Sequence, residues 1–173
     1  MSGTGKSTLG RALAKELGMV YVEGDELHPK SNVEKMSRGV PLTDEDREPW
    51  LELIRTTAEL KAKENGDGVV ITCSALKKSY RDILRGRRIR STSPLSGRGQ
   101  LVTYFVWING SRELLDERIQ KRQGHFFKVS LLDSQLETLE SPQEEERVIV
   151  VPLEADTEEQ VKTAVEELSS FRS

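Results

Sequence analysis

Ser2-Gly3-Thr4-Gly5-Lys6-Ser7-Thr8 stands at the head of the chain, and its reading decides the fold. It matches most of the pattern G-x-x-x-x-G-K-[ST], in which glycines let several backbone N–H groups curl toward one phosphate. Behind it, Leu9, Leu13 and Leu17 recur at i, i+4 and i+8, one face of a helix over residues 6–17 that Gly18 ends. A helix starting at Lys6 aims its positive dipole end at the same phosphate. Lys6 would then reach the β- and γ-phosphates of a nucleoside triphosphate, and Ser7 would hold Mg2+. Gly3, Thr4, Gly5, Lys6, Ser7 and Thr8 are the candidate nucleotide-binding residues. A plain tether rich in Gly, Ser and Thr is the alternative, but Gly-Lys-Ser-Thr opening an amphipathic helix is a specific signal. Counting back from Gly5, the first glycine of the pattern falls one place before Met1.

Working outward, short β-branched runs alternate with helical patterns. Strands are expected at 19–22, 69–72, 101–108 and 147–151, and helices at 30–38, 44–64, 75–85, 111–122 and 157–170. Thr43 followed by Asp44, Glu45 and Asp46 reads as an N-cap with acids in the first turn; Pro49 allows a kink. Val69 to Thr72 does not alternate, as expected of a strand buried in a parallel sheet. Residues 86–100 form a basic Ser/Gly/Pro/Arg loop, most simply a solvated insertion, and 123–146 read as irregular. The pattern predicts an α/β fold with a parallel sheet in one domain over 1–173.

Composition narrows the function classes. Net charge is −3, from 26 basic and 29 acidic side chains, which argues against general binding to nucleic acid or a membrane surface. No apolar run approaches the ~20 residues of a membrane span. Cys73, the single cysteine, excludes an internal disulfide framework and fits a reducing, cytoplasmic compartment. It reads as a small buried residue, with no partner suited to make a thiolate.

Glu23-Gly24-Asp25-Glu26-Leu27-His28-Pro29 follows the second expected element. Ligands of open α/β sheets collect beyond the carboxyl ends of strands, so a carboxylate here can take a hydroxyl proton or hold the Mg2+ shell through water. Asp25 is the favoured candidate; a solvated acidic turn is the alternative. His28 is a turn residue with either a packing or a binding role. Arg47 is unusual at a helix start and could face an anionic acceptor. Lys77 and Arg81 lie at i, i+4 behind Ser74, a candidate cap, giving either an anion pocket or a solvated basic face. Arg118 and Arg122 share the same spacing ahead of Gly124-His125-Phe126-Phe127. They suit a lid over phosphates or, equally, a charged helix face.

The chain resembles the gluconokinase family, small P-loop sugar-acid kinases similar in fold to shikimate kinase and nucleoside monophosphate kinases. The resemblance rests on GTGKST (3–8), EGDELHP (23–29), NVEKMSRGVPLTDEDREPWL (32–51), CSALKKSYRDILR (73–85) and RIQKRQGHFFKVSLLDSQLETLE (118–140), and it is looser at 86–100. It implies a three-layer P-loop kinase fold, with helices on both faces of a parallel sheet and a lid at about 122–142. It also implies phosphoryl transfer from ATP, with Mg2+, to the 6-hydroxyl of D-gluconate. Under that resemblance Asp25 activates the hydroxyl or organises Mg2+, while Arg118 and Arg122 stabilise the transferring group. His28, Arg47, Lys77, Arg81 and His125 are candidates for gripping gluconate. Family members are often dimers, so a homodimer is the expected assembly. They also carry a central strand and a glycine ahead of the point where this chain begins. Four strands, an empty central slot and weak stability or activity are therefore expected. A kinase for another small anionic acceptor, shikimate-like or a nucleoside monophosphate, and an inactive product are the alternatives.

Overall fold

The computed structural model describes residues 4–66, 68–87, 101–121 and 129–171. Among them the elements run α1 (Lys6–Glu16), β1 (Val20–Glu23), a 3-10 turn (Gly24–Leu27), α2 (Lys30–Ser37), α3 (Asp44–Asn65) and β2 (Val69–Thr72). Then follow α4 (Lys78–Leu84), β3 (Phe105–Asn109), α5 (Arg112–Lys121), α6 (Val129–Thr138), β4 (Val148–Pro152) and α7 (Thr157–Ser170).

The four strands form two parallel pairs. β1 runs beside β2, with Val20 opposite Val69 and Glu23 opposite Thr72. β3 runs beside β4, with Phe105 opposite Val148 and Asn109 opposite Pro152. No described strand is hydrogen-bonded between the pairs, so the expected parallel sheet appears in two halves.

Helix α1 ties the halves together. It packs on β1 and β2 and also on α7. Its Leu9 and Leu13, each 4% exposed, join Ile108, Leu115, Ile149, Val151, Leu153 and Ala164 in one core. Burial of each such leucine contributes roughly 1.5–3 kcal/mol, which anchors the helix that carries the phosphate loop. The second core gathers Trp50, Leu51 and Ile54 of α3 with Leu76, Tyr80, Ile83 and Leu84 around α4. Partly buried Ile71 and Phe105 bring both strand pairs to it.

Thr43 caps α3 as its sequence requires: its hydroxyl accepts from the Asp46 N–H, and the Asp46 carboxylate accepts from the Thr43 N–H. The helix runs through Pro49 without a break; the carbonyl that a residue-49 N–H would meet is that of Glu45, exposed in the first turn. Three expectations are corrected. β3 starts at Phe105, not Leu101. α4 starts at Lys78 with Lys77 at the N-cap, so Ser74 is not its cap. Part of the stretch read as irregular is α6, whose Leu136 packs on the first core while Leu139, just past its end, packs on the second. No helix among the described residues is long and apolar enough to cross a membrane.

Candidate active site

Gly5 turns the chain into α1 with φ of 86°, a left-handed conformation that favours glycine. The turn sets Lys6 and Ser7, both half-buried, at the helix N-terminus, with Thr4 buried before them and Thr8 exposed after them. Lys6 Nζ lies 4.0 Å from Asp25 Oδ2. The two candidates for moving charge and proton therefore meet, although they stand on separate elements.

β1 ends at Glu23, a carboxylate that sequence reading passed over in favour of Asp25. Its oxygens accept from Thr72 Oγ1 at 2.5 Å and from the Tyr21 hydroxyl at 2.7 Å, and the Ser7 hydroxyl bonds to it as well. Burial would raise its pKa, but the hydrogen bonds from Ser7, Thr72 and Tyr21, aided by the Lys6 charge, hold it below the usual glutamate value. Glu23 stays ionised beside the hydroxyl expected to hold Mg2+. Its place at the carboxyl end of a strand, in the same EGD run, is the signal that could have found it. Gly24 follows in the 3-10 turn; a Cβ there would run into the Thr72 carbonyl oxygen. The close approach lets the turn swing Asp25 toward Lys6.

Facing this corner is a wall made by α2, α3 and the start of α4. The His28 ring stacks on Trp50 with centroids 4.0 Å apart and planes at 15°. Trp50 is fully buried and donates through Nε1 to the Gly24 carbonyl at 2.8 Å. Lys77 Nζ bonds both Asp44 oxygens, at 2.8 and 2.7 Å, and the Tyr80 hydroxyl donates to the same carboxylate. Those two bonds lower the Asp44 pKa. Burial and the Asp44 charge push the Tyr80 phenol up. Arg47 lies over the Tyr80 ring, 5.9 Å from its centroid, half-buried and turned back from the helix start.

Comparison with known proteins shows the family of the chain. A family model described as an AAA domain matches residues 1–142. A gluconokinase of Gluconobacter oxydans is 50% identical over 151 residues, covering 87% of this chain and 78% of that protein. The chain belongs to the gluconokinase family. The thermosensitive gluconokinase of Escherichia coli is 43% identical over 150 residues, 87% of this chain and 73% of that one. The crystal structure of a gluconokinase from Sinorhizobium meliloti superposes with a TM-score of 0.81 at 44% identity, covering 98% of this chain and 88% of that one. A sugar kinase from Janibacter superposes at 0.84 with 38% identity, covering 98% and 90%. The fold is that of a P-loop kinase.

Within that gluconokinase fold the remaining candidates divide. Arg81 is corrected: it is 2% exposed and turned into the protein. Its guanidinium donates to the Ala75, Leu76 and Glu140 carbonyls and, through Nε and Nη2, to Glu145 at 3.0 and 2.6 Å. Arg85 completes the cluster at 2.7 Å from the other Glu145 oxygen. Burial would raise the Glu145 pKa, but hydrogen bonds from Arg81 and Arg85 bring it below the ordinary value. With Lys77 at the N-cap and Arg81 buried, the two cations do not share an exposed face. The flanking Tyr80, Ile83 and Leu84, all buried, are the sequence signal for this. Arg118 is engaged with the Leu153 carbonyl at 2.5 Å, joining α5 to the end of β4. Cys73 is partly buried against the second core, and burial pushes its thiol up to about 11, which keeps it protonated and unreactive near neutral pH. A cavity of about 480 Å³ opens at the carboxyl ends of β3 and β4, lined by Asn109, Gly110, Ser111, Val150, Pro152 and Glu154. Gly3, Arg122 and His125 lie outside the described residues.

Proposed function

We propose that this chain transfers the γ-phosphoryl group of ATP to the 6-hydroxyl of D-gluconate, giving 6-phospho-D-gluconate. The observation that carries the reading is the meeting of Lys6 and Asp25 at 4.0 Å, at the mouth of a phosphate loop in a gluconokinase-family fold.

The loop amides and the α1 N-terminus cradle the donor phosphates, and Lys6 reaches their terminal oxygens. Ser7 and Glu23 offer the hard oxygens that suit Mg2+, an ion that keeps several waters and binds through few protein groups. When bound, Mg2+ neutralises charge on the phosphates. Asp25, half-exposed, accepts the proton of the attacking hydroxyl and is held toward Lys6 by the turn after Gly24. Lys77 and Arg47 supply positive charge for the gluconate carboxylate, with Asp44 holding Lys77 in place until the acceptor arrives. Arg118, through its bond to the Leu153 carbonyl, holds α5 against the end of β4.

The test is ADP release in a coupled assay against a panel of sugar acids, shikimate and nucleoside monophosphates. The reading expects turnover with gluconate well above every other acceptor. Turnover with a nucleoside monophosphate or shikimate, and none with gluconate, would overturn it.

A further inference from the structure

Asn32 of α2 is 3% exposed, yet its amide reaches two groups on different elements. Nδ2 donates to the Asp46 carbonyl oxygen at 2.8 Å and lies 3.4 Å from His28 Nδ1. A carbonyl oxygen only accepts, so it must face the amide nitrogen and not the amide oxygen. That fixes which way the Asn32 side chain points. An amide nitrogen carries hydrogens and accepts nothing, so His28 Nδ1 must present its lone pair to it. The imidazole proton is left on Nε2, the ring nitrogen directed away from α2. Stacking on Trp50 fixes the plane of the ring, and Asn32 fixes its rotation within that plane.

From this geometry we infer that Asn32 is a positioning residue that holds His28 as its Nε2–H tautomer, so that His28 meets the acceptor as an uncharged hydrogen-bond donor. The inference rests on the kinase reading above for the identity of the acceptor, but the tautomer itself does not. The charged neighbours are Asp25 on the 3-10 turn and Arg47 on α3. Burial, helped by Arg47 and opposed by Asp25, lowers the His28 pKa, in keeping with a neutral ring. A neutral donor suits a hydroxyl of a polyol chain, and it leaves proton abstraction to Asp25.

The chain holds two histidines, so in a His125→Gln variant every imidazole signal belongs to His28. Nitrogen-15 spectra of that variant at neutral pH should show Nε2 protonated and Nδ1 bare. A proton on Nδ1, or on both nitrogens, would overturn the inference whatever the activity. In Asn32→Asp the donor becomes an acceptor, and the proton should move to Nδ1 or both nitrogens should carry one; an unchanged spectrum in a folded variant would contradict the role of Asn32. Kinetics supply the second arm. His28→Gln can place an amide N–H near the Nε2 position, and should raise KM for gluconate less than the shorter asparagine does. His28→Asn cannot reach it, and should raise KM about tenfold, the loss of one hydrogen bond. A fall in kcat of a hundredfold or more in both variants, with KM unchanged, would make His28 a base and sink the proposal. Failure to phosphorylate gluconate would remove the kinase reading yet leave the tautomer measurement standing.

Discussion

Gly5 and Lys6 are placed by their own backbone and the helix that follows, whereas Lys77 is held by Asp44, 33 residues away, and Arg81 by Glu145, 64 residues away. The phosphate loop is thus a local device, built by a left-handed glycine and a helix start. The wall opposite is a long-range device, in which side chains from α2, α3 and α4 choose one another only after the chain has folded. The first kind is written in a run of seven residues. The second depends on which face of a helix the cores take.

The largest effect that separates the two regions is expected at Glu145. Glu145→Ala leaves the Arg81 guanidinium buried without its carboxylate, at a cost of about 3–5 kcal/mol. For a chain of this length that is a fall in melting temperature of roughly 10 °C. A loss within 2 °C by calorimetry would mean that this cluster does not hold the wall. Gly24→Ala is expected next, at about 1–3 kcal/mol, because the added methyl meets the Thr72 carbonyl. Since the same turn carries Asp25, kcat should fall as well; a destabilised variant with unaltered kcat would uncouple the turn from the site.

How far these features could be read in the sequence follows the same division. The helix from Lys6, the strand Val69–Thr72 and the helix Thr157–Ser170 follow from leucine spacing, β-branched runs and a capping aspartate. α6 was not legible, since Val129, Leu132 and Leu136 recur at helical spacing among polar residues with no clear cap. Arg81 shows why a charge pattern alone misleads: i, i+4 spacing says that two cations share a face, not whether that face meets water or core. Asn32 carried no signal at all, because its partners His28 and Asp46 come together only when α2 packs beside α3. Glu23 was within reach, one residue from the glycine that aims Asp25.

Acid should loosen the start of α3. Hydrogen bonds from Lys35 and the Thr43 backbone lower the Asp46 pKa to about 2, from an ordinary value of 3.8. A carboxylate with a depressed folded pKa contributes stability above its unfolded value and loses it as pH falls through the folded one. Circular dichroism and urea midpoints should therefore hold steady above about pH 4 and decline toward pH 2, and Asp46→Asn should flatten that decline. A decline of equal size in Asp46→Asn would remove the capping carboxylate from the account. The smallest effect on stability is expected at Lys77, whose pair with Asp44 is largely solvated and worth within about 1 kcal/mol. Its mark should be kinetic: Lys77→Ala should raise KM for gluconate about tenfold at nearly constant melting temperature. A large drop in stability would instead class it with Arg81.

The central claim is that Lys6 and Asp25 form one phosphoryl-transfer site. The most direct measurement follows 6-phosphogluconate by phosphorus NMR with ATP and gluconate, for the parent chain and for Lys6→Ala and Asp25→Asn. The parent should form the phosphate ester, Asp25→Asn should lose about 10²–10⁴-fold in kcat, and Lys6→Ala about 10²–10³-fold. A parent that makes no ester from gluconate, or an Asp25→Asn variant that keeps its kcat, would contradict the account.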